Sequence, residues 1–246
     1  MARNRRQLAV AILGSLLLAA CQRLDAHVPD ILLFDGAGTS PGDVRALQHI
    51  LKQRGLGFAR ADSRQLEAMS EAQLRNYRLL IIPGGNFELI GNGLTPGATQ
   101  KVRAAVKGGL NYLGVCAGGF FAGASPYNGL DLADVVRFNF YALENQRVRK
   151  AAVPIAIAGA PAADHYWEDG PQFAGWGEVI AKYPDGSPAA VQGGVGEGWI
   201  VLAGFHPEAP ASWRGAMRFT TPVAADQAYA AKLVEAALNR TRLAHY

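Results

Sequence analysis

Cys116 is the residue of this sequence best placed to act as a nucleophile. It stands at the centre of a Gly-x-Cys-x-Gly pattern completed by Gly114 and Gly118. This is the pattern of a nucleophile elbow, a sharp strand-to-helix turn that needs small residues two positions away from the nucleophile. Amides at the start of the following helix favour a thiolate over a thiol, and the amide of Ala117 can face a developing oxyanion. A buried, inert cysteine beside flexible glycines is the alternative.

A His-Pro-Glu segment downstream supplies the partners that such a cysteine needs. Pro207 biases His206 towards extended backbone, where side chains two positions apart point to the same side. Glu208 can therefore orient the imidazole and favour its cationic form, while His206 holds the proton of Cys116. A surface His and Glu flanking a turn proline is the alternative. Both motifs follow buried strands and should meet at the carboxyl edge of one sheet, which favours the catalytic interpretation.

Two further turns are expected near the same edge. Gly84 and Gly85 end another buried strand, and either glycine can offer a second oxyanion amide, although a plain tight turn explains them equally well. Asp35 and Gly36 follow the first predicted strand. We expect them at the wall of the substrate pocket together with Phe120, and an anion-cradling loop is the alternative.

The elements that must position these residues alternate between strand and helix. Continuous apolar runs predict buried strands, and helical spacing with a Thr-Pro start or a glycine stop predicts helices. The predicted strands are 31–34, 79–82, 110–115 and 199–202, and the main predicted helices are 44–51, 96–107 and 224–238. This alternation predicts an α/β fold with a doubly wound, mostly parallel sheet. Short strand-like pieces between 127 and 192 predict a β-rich insertion after the elbow.

The first 20 residues predict export. Arg3, Arg5 and Arg6 precede an uncharged stretch, 8–20, that is too short for a permanent membrane span. The stretch ends in Leu-Ala-Ala-Cys, which resembles the lipobox of bacterial lipoproteins. The resemblance implies a signal peptide over 1–20, a lipid on Cys21, a tether over 21–28 and a folded domain over 29–246. An ordinary secretory signal and a short membrane anchor are the alternatives.

The predicted leader also explains the charge and the cysteine content. The chain has a net charge of +4, but without the three leader arginines 21 basic residues face 20 acidic ones, so nucleic acid is not an expected partner. Only two cysteines occur. If Cys21 carries lipid, Cys116 has no disulfide partner in an oxidising compartment. We therefore expect a protein anchored to the cell membrane or outer membrane through Cys21, on the periplasmic or extracytoplasmic side.

The three motifs together resemble the class I glutamine amidotransferase superfamily and, within it, the biotin-protein ligase N-terminal domain family. The resemblance covers about 31–210 and is most detailed over 34–40, 112–120 and 170–173. It implies a flavodoxin-like fold, a catalytic triad and an oxyanion hole. The implied triad is Cys116, His206 and Glu208, and the implied oxyanion hole is formed by Gly85 and Ala117.

One departure from the superfamily bears on the substrate. Amidotransferases usually carry Gln four residues after the nucleophile, where this chain has Phe120. An aromatic ring cannot make the hydrogen bonds of an amide, so free glutamine is not the expected substrate. No synthase domain and no biotin-ligase catalytic region are expected in this chain, so biotin ligation is not predicted.

Three function classes follow from these residues. The leading hypothesis is a cysteine-dependent hydrolase that cleaves an amide bond of a small-molecule, peptide or cell-envelope substrate without a cofactor. The alternative is a ligand-binding module of the same fold that has no turnover. A redox or chaperone-like role of the thiol is a third possibility.

Two weaker signals concern a metal site and an aromatic substrate cleft. His165, Glu168 and Asp169 can be drawn as metal ligands, but polar loops often produce such clusters, and we predict no metal site. Aromatic residues of the insertion can line a cleft, but more often form a small core of their own, so one or two of them are expected near the site. These aromatic residues are Tyr166, Trp167, Phe173, Trp176 and Trp213.

Overall fold

A computed structural model describes residues 29–132 and 137–246. The strands are β1 (Ile31–Phe34), β2 (Phe58–Ala61), β3 (Leu79–Ile82), β4 (Asn111–Val115), β5 (Arg137–Phe140), β6 (Lys150–Ile157), β7 (Ala163–Glu168), β8 (Pro171–Ala174), β9 (Glu178–Lys182), β10 (Pro188–Val195) and β11 (Gly198–Ala203). The helices are α1 (Pro41–Gln53), α2 (Ser63–Ala68), α3 (Glu71–Leu74), α4 (Phe87–Asn92), α5 (Pro96–Lys107), α6 (Ala117–Ala122) and α7 (Val223–Asn239). The predicted signal peptide 1–20, Cys21 and the tether 21–28 lie outside the described residues.

A nine-stranded sheet forms the centre of the fold, in the order β2-β1-β3-β4-β11-β10-β9-β6-β7. The first five strands pair in parallel, and the other four continue the sheet with antiparallel pairs. The parallel order is that of a flavodoxin-like doubly wound sheet. The predicted fold class is confirmed, and the β-rich insertion extends the main sheet. A separate two-stranded sheet pairs β5 with β8.

Burial on both faces explains the apolar strands of the parallel half. Every residue of β1 and β3 is buried, because helices cover both sides of the sheet. Leu33 packs in the cluster that contains apolar residues of α1 and α7, whereas its neighbour Leu32 packs with α5 on the opposite face. Period-2 alternation of the strand thus divides one apolar run between two cores.

Local capping explains where several helices begin. Thr95 accepts from the amide of Ala98 and Pro96 takes the first helical position of α5, as predicted. At α2, the side chain of Asp62 accepts from the amide of Gln65, and the side chain of Gln65 accepts from the amide of Asp62. Within 29–132 and 137–246, no helix combines the length and the apolar character needed to cross a bilayer.

Candidate active site

A cavity of about 410 Å³ opens at the carboxyl edge of the parallel strands, where ligands bind in doubly wound sheets. It is formed by the loops after β1, β3, β4 and β11 and by the insertion. Its lining residues are Ser40, Asp43, Gly85, Asn86, Phe87, Glu88, Cys116, Phe120, Phe140, Arg149, Glu168, Asp169 and His206. The two motifs that sequence analysis singled out for catalysis therefore face one space.

Cys116 sits in a strained turn between β4 and α6. Its backbone angles are φ 48° and ψ −106°, in a region that residues with a side chain rarely adopt. The turn is possible because its neighbours are glycines. A Cβ on Gly114 would lie 2.4 Å from the carbonyl oxygen of Gly118, and a Cβ on Gly118 would lie 2.0 Å from that of Ile82. This geometry is that of a nucleophile elbow.

Backbone contacts fix the elbow against two other elements. The amide of Cys116 donates to the carbonyl of Ala203, the last residue of β11, at 2.8 Å. The Sγ of Cys116 lies 3.5 Å from the carbonyl oxygen of Glu168, at the end of β7. The first contact ties the cysteine to the strand that leads to His206, and the second places the thiol against the insertion.

Around the imidazole of His206, two carboxylates approach the same nitrogen. Nδ1 lies 3.0 Å from Oε1 of Glu208, in a hydrogen bond, and 2.9 Å from Oδ1 of Asp43. All three side chains are buried, and we call them the acid–histidine cluster. His206 itself is extended and pairs with Tyr166, but Pro207 and Glu208 form a turn in which the amide of Ala209 donates to the carbonyl of His206. The extended backbone predicted for the whole His-Pro-Glu segment is therefore wrong, and the turn brings Glu208 to the imidazole.

The charges of this cluster shift the pKa values of its members. Burial alone would lower the pKa of His206, but negative charge on Cys116, Asp43 and Glu208 raises it well above the ordinary value. Burial would raise the pKa of Asp43, but the charge and hydrogen bonding of His206 outweigh it and lower that pKa. Burial raises the pKa of Glu208. The imidazole is therefore held as a cation, which suits a partner for a thiolate.

The ligand atoms of the acid–histidine cluster lie within 4.8 Å of one another, a spacing that could enclose a metal ion. Nδ1 of His206 is already engaged by Glu208. We therefore assign the cluster to proton chemistry.

Backbone amides suited to an oxyanion lie beside the cysteine. Gly85 lines the cavity with φ 145°, and a Cβ there would lie 2.1 Å from the carbonyl oxygen of Gly38. Glycine is thus required at this position. Ala117 begins α6 directly after the cysteine. Over the residues that the structure describes, the amides of Gly85 and Ala117 donate to no protein acceptor.

Three phenylalanines form the opposite side of the cavity, which we call the aromatic wall: Phe87, Phe120 and Phe140. Phe120 stacks on Phe87 with ring centroids 4.6 Å apart and contacts Phe140 at 4.8 Å. The same three rings also line an adjoining cavity of about 590 Å³. The aromatic wall therefore offers apolar surface next to the cysteine.

Charged side chains close the rim next to the insertion. Arg149 pairs with Asp169 at 3.1 Å, and Lys150 pairs with Glu168 at 2.9 Å. Tyr166 donates to Oε2 of Glu168 at 2.6 Å. The rim thus brings both signs of charge to the mouth of the cavity.

Comparison with known proteins agrees with this architecture. Residues 29–127 match the model of the family described as biotin-protein ligase, N terminal. A pyridoxal 5′-phosphate synthase subunit, PdxT, from Dehalococcoides mccartyi is 28% identical over 187 residues, which cover 68% of this chain and 86% of the relative. A solved glutamine amidotransferase is 22% identical with a TM-score of 0.55, over 73% of this chain and 90% of that one. A second, from Thermotoga maritima, is 14% identical with a TM-score of 0.58, over 86% and 98%.

Together, the family-model match, the PdxT relative and the solved structures support a glutamine amidotransferase-like superfamily assignment. The likeness to the two solved structures establishes the fold, a mixed and mostly parallel sheet with helices on both faces. Such a fold is consistent with hydrolysis of an amide bond.

Two residues predicted at the pocket of this amidotransferase-like domain lie elsewhere. Asp35 pairs with Arg60 of β2, and Gly36 packs so closely on Phe34 that a Cβ would lie 2.3 Å from its ring. Neither lines the cavity around the cysteine. The loop after β1 reaches the cavity only further along, at Ser40, because its first residues are turned towards β2.

The weaker candidates lie in two different environments. His165 is fully buried with Nδ1 3.5 Å from Asp226 of α7, whereas Glu168 and Asp169 reach the cavity. Of the insertion aromatics, the rings of Tyr166 and Trp213 lie 5.6 and 5.9 Å from the imidazole of His206. Trp167 and Phe173 are core residues, and Trp176 packs on Gly193 away from the site.

Asp43 is a site residue that sequence reasoning missed. An acid in the first turn of a helix is ordinarily explained by the helix dipole, and the Ser-Pro-Gly-Asp start of α1 fits that explanation. The signal that could have pointed to it is position, because α1 begins at the same sheet edge as the elbow. Phe87 and Arg149 were also missed, since each reaches the site through tertiary packing.

Proposed function

We propose that this protein hydrolyses an amide bond with Cys116 as the nucleophile. The observation that carries the proposal is that one cavity is lined by Cys116, the buried His206 and Gly85, with the amide of Ala117 directly after the nucleophile. Cysteine hydrolases need such a set: a nucleophile, a base and donors for the oxyanion.

The proposed reaction has two halves. The thiolate of Cys116 attacks the amide carbonyl carbon, forming a C–S bond and an oxyanion that the amides of Gly85 and Ala117 stabilise. The C–N bond breaks as His206 transfers its proton to the leaving nitrogen, which departs as an amine or ammonia. Water then gives a proton to His206 and attacks the thioester, so that the C–S bond breaks and a carboxylic acid leaves with the cysteine regenerated.

The aromatic wall indicates the kind of substrate. A primary carboxamide side chain needs donors and acceptors, and each buried group left unmatched costs about 1–3 kcal/mol. Phe120 offers none at the position beside the nucleophile, and Phe87 and Phe140 surround it with apolar surface. We therefore propose an aryl or apolar group next to the scissile amide, in a small peptide or cell-envelope compound.

A panel of amides tests this function. Ammonia release from glutamine is measured against amine release from aryl and peptide amides, with iodoacetamide-blocked protein as the blank. We expect turnover of aryl or apolar amides and little glutaminase activity. Phe120→Gln should raise glutamine turnover without improving the aryl reaction. Efficient wild-type glutaminase activity with an inert aryl panel would refute the substrate proposal.

We propose that lipid on Cys21 anchors the exported protein to the cell membrane or outer membrane, on the periplasmic or extracytoplasmic side. The Leu-Ala-Ala-Cys segment supports it, together with the arginines that precede the apolar stretch. The test is fractionation of the full-length protein with mass analysis of its N-terminus. Wild type should start at a lipidated cysteine and sediment with membranes, and Cys21→Ser should lose both properties. A soluble wild type with an unmodified N-terminus contradicts the proposal.

One observation favours the second candidate, a binding module without turnover. The Sγ of Cys116 is engaged by the carbonyl of Glu168, so the thiol proton has an acceptor other than His206. A binding module predicts saturable binding of amides from the panel, with the same affinity in Cys116→Ala and no product. Isothermal titration alongside the turnover assay separates the two.

A further inference from the structure

Asp43 occupies a position that a Cys-His-Glu triad does not require. It lies in the first turn of α1, is 5% exposed, and places Oδ1 of its carboxylate 2.9 Å from Nδ1 of His206. The space for this approach depends on Gly84, where a Cβ would lie 2.2 Å from Oδ1 of Asp43 and 2.7 Å from Cε1 of His206. The glycine in the turn after β3 thus leaves the space that the side chains of Asp43 and His206 occupy.

Two buried carboxylates therefore compete for one ring nitrogen. Nδ1 is hydrogen-bonded to Oε1 of Glu208 at 3.0 Å and contacts Oδ1 of Asp43 at 2.9 Å. Oδ1 of Asp43 and Oε2 of Glu208 are buried, and neither receives a hydrogen bond from the part of the chain that the structure describes. Two ionised carboxylates this close in a buried site repel one another, and such pairs normally retain a proton.

The surroundings of the two acids decide which one is ionised. Asp43 stands at the start of a 13-residue helix, whose N-terminus favours negative charge. Glu208 is 0% exposed and lies in the turn after β11, outside any α-helix. The directions of the two pKa shifts agree, since that of Asp43 is lowered and that of Glu208 is raised by burial.

We propose that Asp43 and Glu208 share one proton, that Asp43 is the ionised partner of His206, and that Asp43 is therefore a positioning residue that keeps the imidazole charged. The proposal rests on the role of His206 proposed above. Glu208 then orients the ring chiefly as a neutral or partly protonated acid.

Two other titratable groups, Cys116 and Tyr166, also face His206. Cys116 approaches from the elbow, and negative charge on its sulfur raises the pKa of His206. From β7, the ring of Tyr166 packs on the imidazole while its hydroxyl donates to Glu168, and burial raises the pKa of that hydroxyl. Tyr166 therefore stays neutral over the range in which His206 titrates, and the carboxylates remain the groups that decide its charge.

The test compares Asp43→Asn with Glu208→Gln, since each replaces a carboxylate by an amide of the same shape. One readout is the ¹⁵N imidazole titration of His206, assigned by the loss of its signals in His206→Ala. The second is the rate of Cys116 alkylation by iodoacetamide at pH 6. We expect Asp43→Asn to lower the imidazole midpoint by about one pH unit or more and the rate by about tenfold. Glu208→Gln should change the rate by less than about threefold, and the double variant should fall furthest.

Asp35→Asn serves as the matched control, because it removes a carboxylate from the same β1–α1 connection that contacts Arg60 and not the cavity. Equal effects of the two variants, or a larger effect of Glu208→Gln, overturn the assignment of the charge to Asp43. If Glu208→Gln does not fold, the Asp43→Asn variant alone tests the proposal. A His206 titration midpoint in Asp43→Asn equal to that of wild type then overturns it. Both readouts use resting protein without substrate. An inert amide panel therefore counts against hydrolysis and not against the shared proton.

Discussion

The two sides of the cavity are built differently. The acid–histidine cluster is fully enclosed, with Glu208 0% exposed and its contacts to His206 near 3 Å. The aromatic wall is looser, and Phe140 is 36% exposed at its outer end. The first side comes from loops of the parallel sheet, whereas the second depends partly on β5 of the insertion. We infer that substitutions in the acid–histidine cluster would disturb the chemistry. Substitutions in the aromatic wall, which faces the substrate, should leave the chemistry intact.

The sharpest way to test this comparison is to remove the nucleophile. Cys116→Ala should reduce turnover of the best amide by at least about 1,000-fold, because no other group can form the thioester. The measurement is the initial rate, with circular dichroism as a check of folding. Residual turnover above a tenth of the wild-type rate would place the chemistry elsewhere.

The second prediction concerns the charge of His206. Since the pKa of His206 is raised, the imidazolium persists through neutral pH and is lost only on the alkaline side. Alkylation of wild-type Cys116 should therefore change little between about pH 5.5 and 8. In His206→Ala the rate should rise about tenfold per pH unit, as for a free thiol with a pKa of about 8.5, and be roughly 1,000-fold slower than in wild type at pH 5.5. If wild type and His206→Ala showed the same pH dependence of alkylation, the proposal that His206 activates Cys116 would be wrong.

The third prediction concerns the close packing behind the elbow. Gly118→Ala places a Cβ 2.0 Å from the backbone oxygen of Ile82, so we expect a loss of about 2–3 kcal/mol in the free energy of unfolding. Gly97→Ala in α5 is the control, because a Cβ there meets nothing within 4 Å. It should be neutral or stabilise by up to about 1 kcal/mol. Urea unfolding of both variants gives the comparison, and equal midpoints would show that the elbow can relax.

The smallest expected effect lies on the aromatic wall. Phe120→Ala should raise KM for aryl amides by roughly tenfold, a loss of about 1.4 kcal/mol of apolar contact, with kcat nearly unchanged. Leu89→Ala is the control, because this side chain is 56% exposed and does not line the cavity. A fall in kcat with KM unchanged would mean that Phe120 shapes the reactive side instead.

Features that depend on neighbouring residues in the chain could be predicted from the sequence, whereas contacts made by tertiary packing could not. The elbow glycines and the His-Pro-Glu segment are local patterns whose geometry is decided by neighbours in the chain, so their convergence at one sheet edge could be inferred. The buried strands and the capping of α5 by Thr95 were likewise local. Asp43 could not be inferred, because its contact with His206 joins residues 163 positions apart through the packing of α1 on the sheet.

Errors arose where a loop turns in a direction that sequence does not encode. Asp35 and Gly36 were expected at the pocket because they follow a buried strand, but pairing of Asp35 with Arg60 draws that end of the loop towards β2. The antiparallel continuation of the main sheet was also beyond reach. It depends on which edge the insertion strands join, and β9 and β10 carry no signal for that choice.

The bridge between Tyr166 and His206 has a dynamic consequence. The amide of His206 donates to the carbonyl of Tyr166 at 2.8 Å, which ties the histidine loop to β7. Exchange of this amide with solvent deuterium requires that the bond open, so its rate reports on fraying of the insertion edge. A compound that binds at the rim and separates β7 from the cavity would displace the imidazole of His206 without contacting it. Such a compound would inhibit the site from outside the cavity.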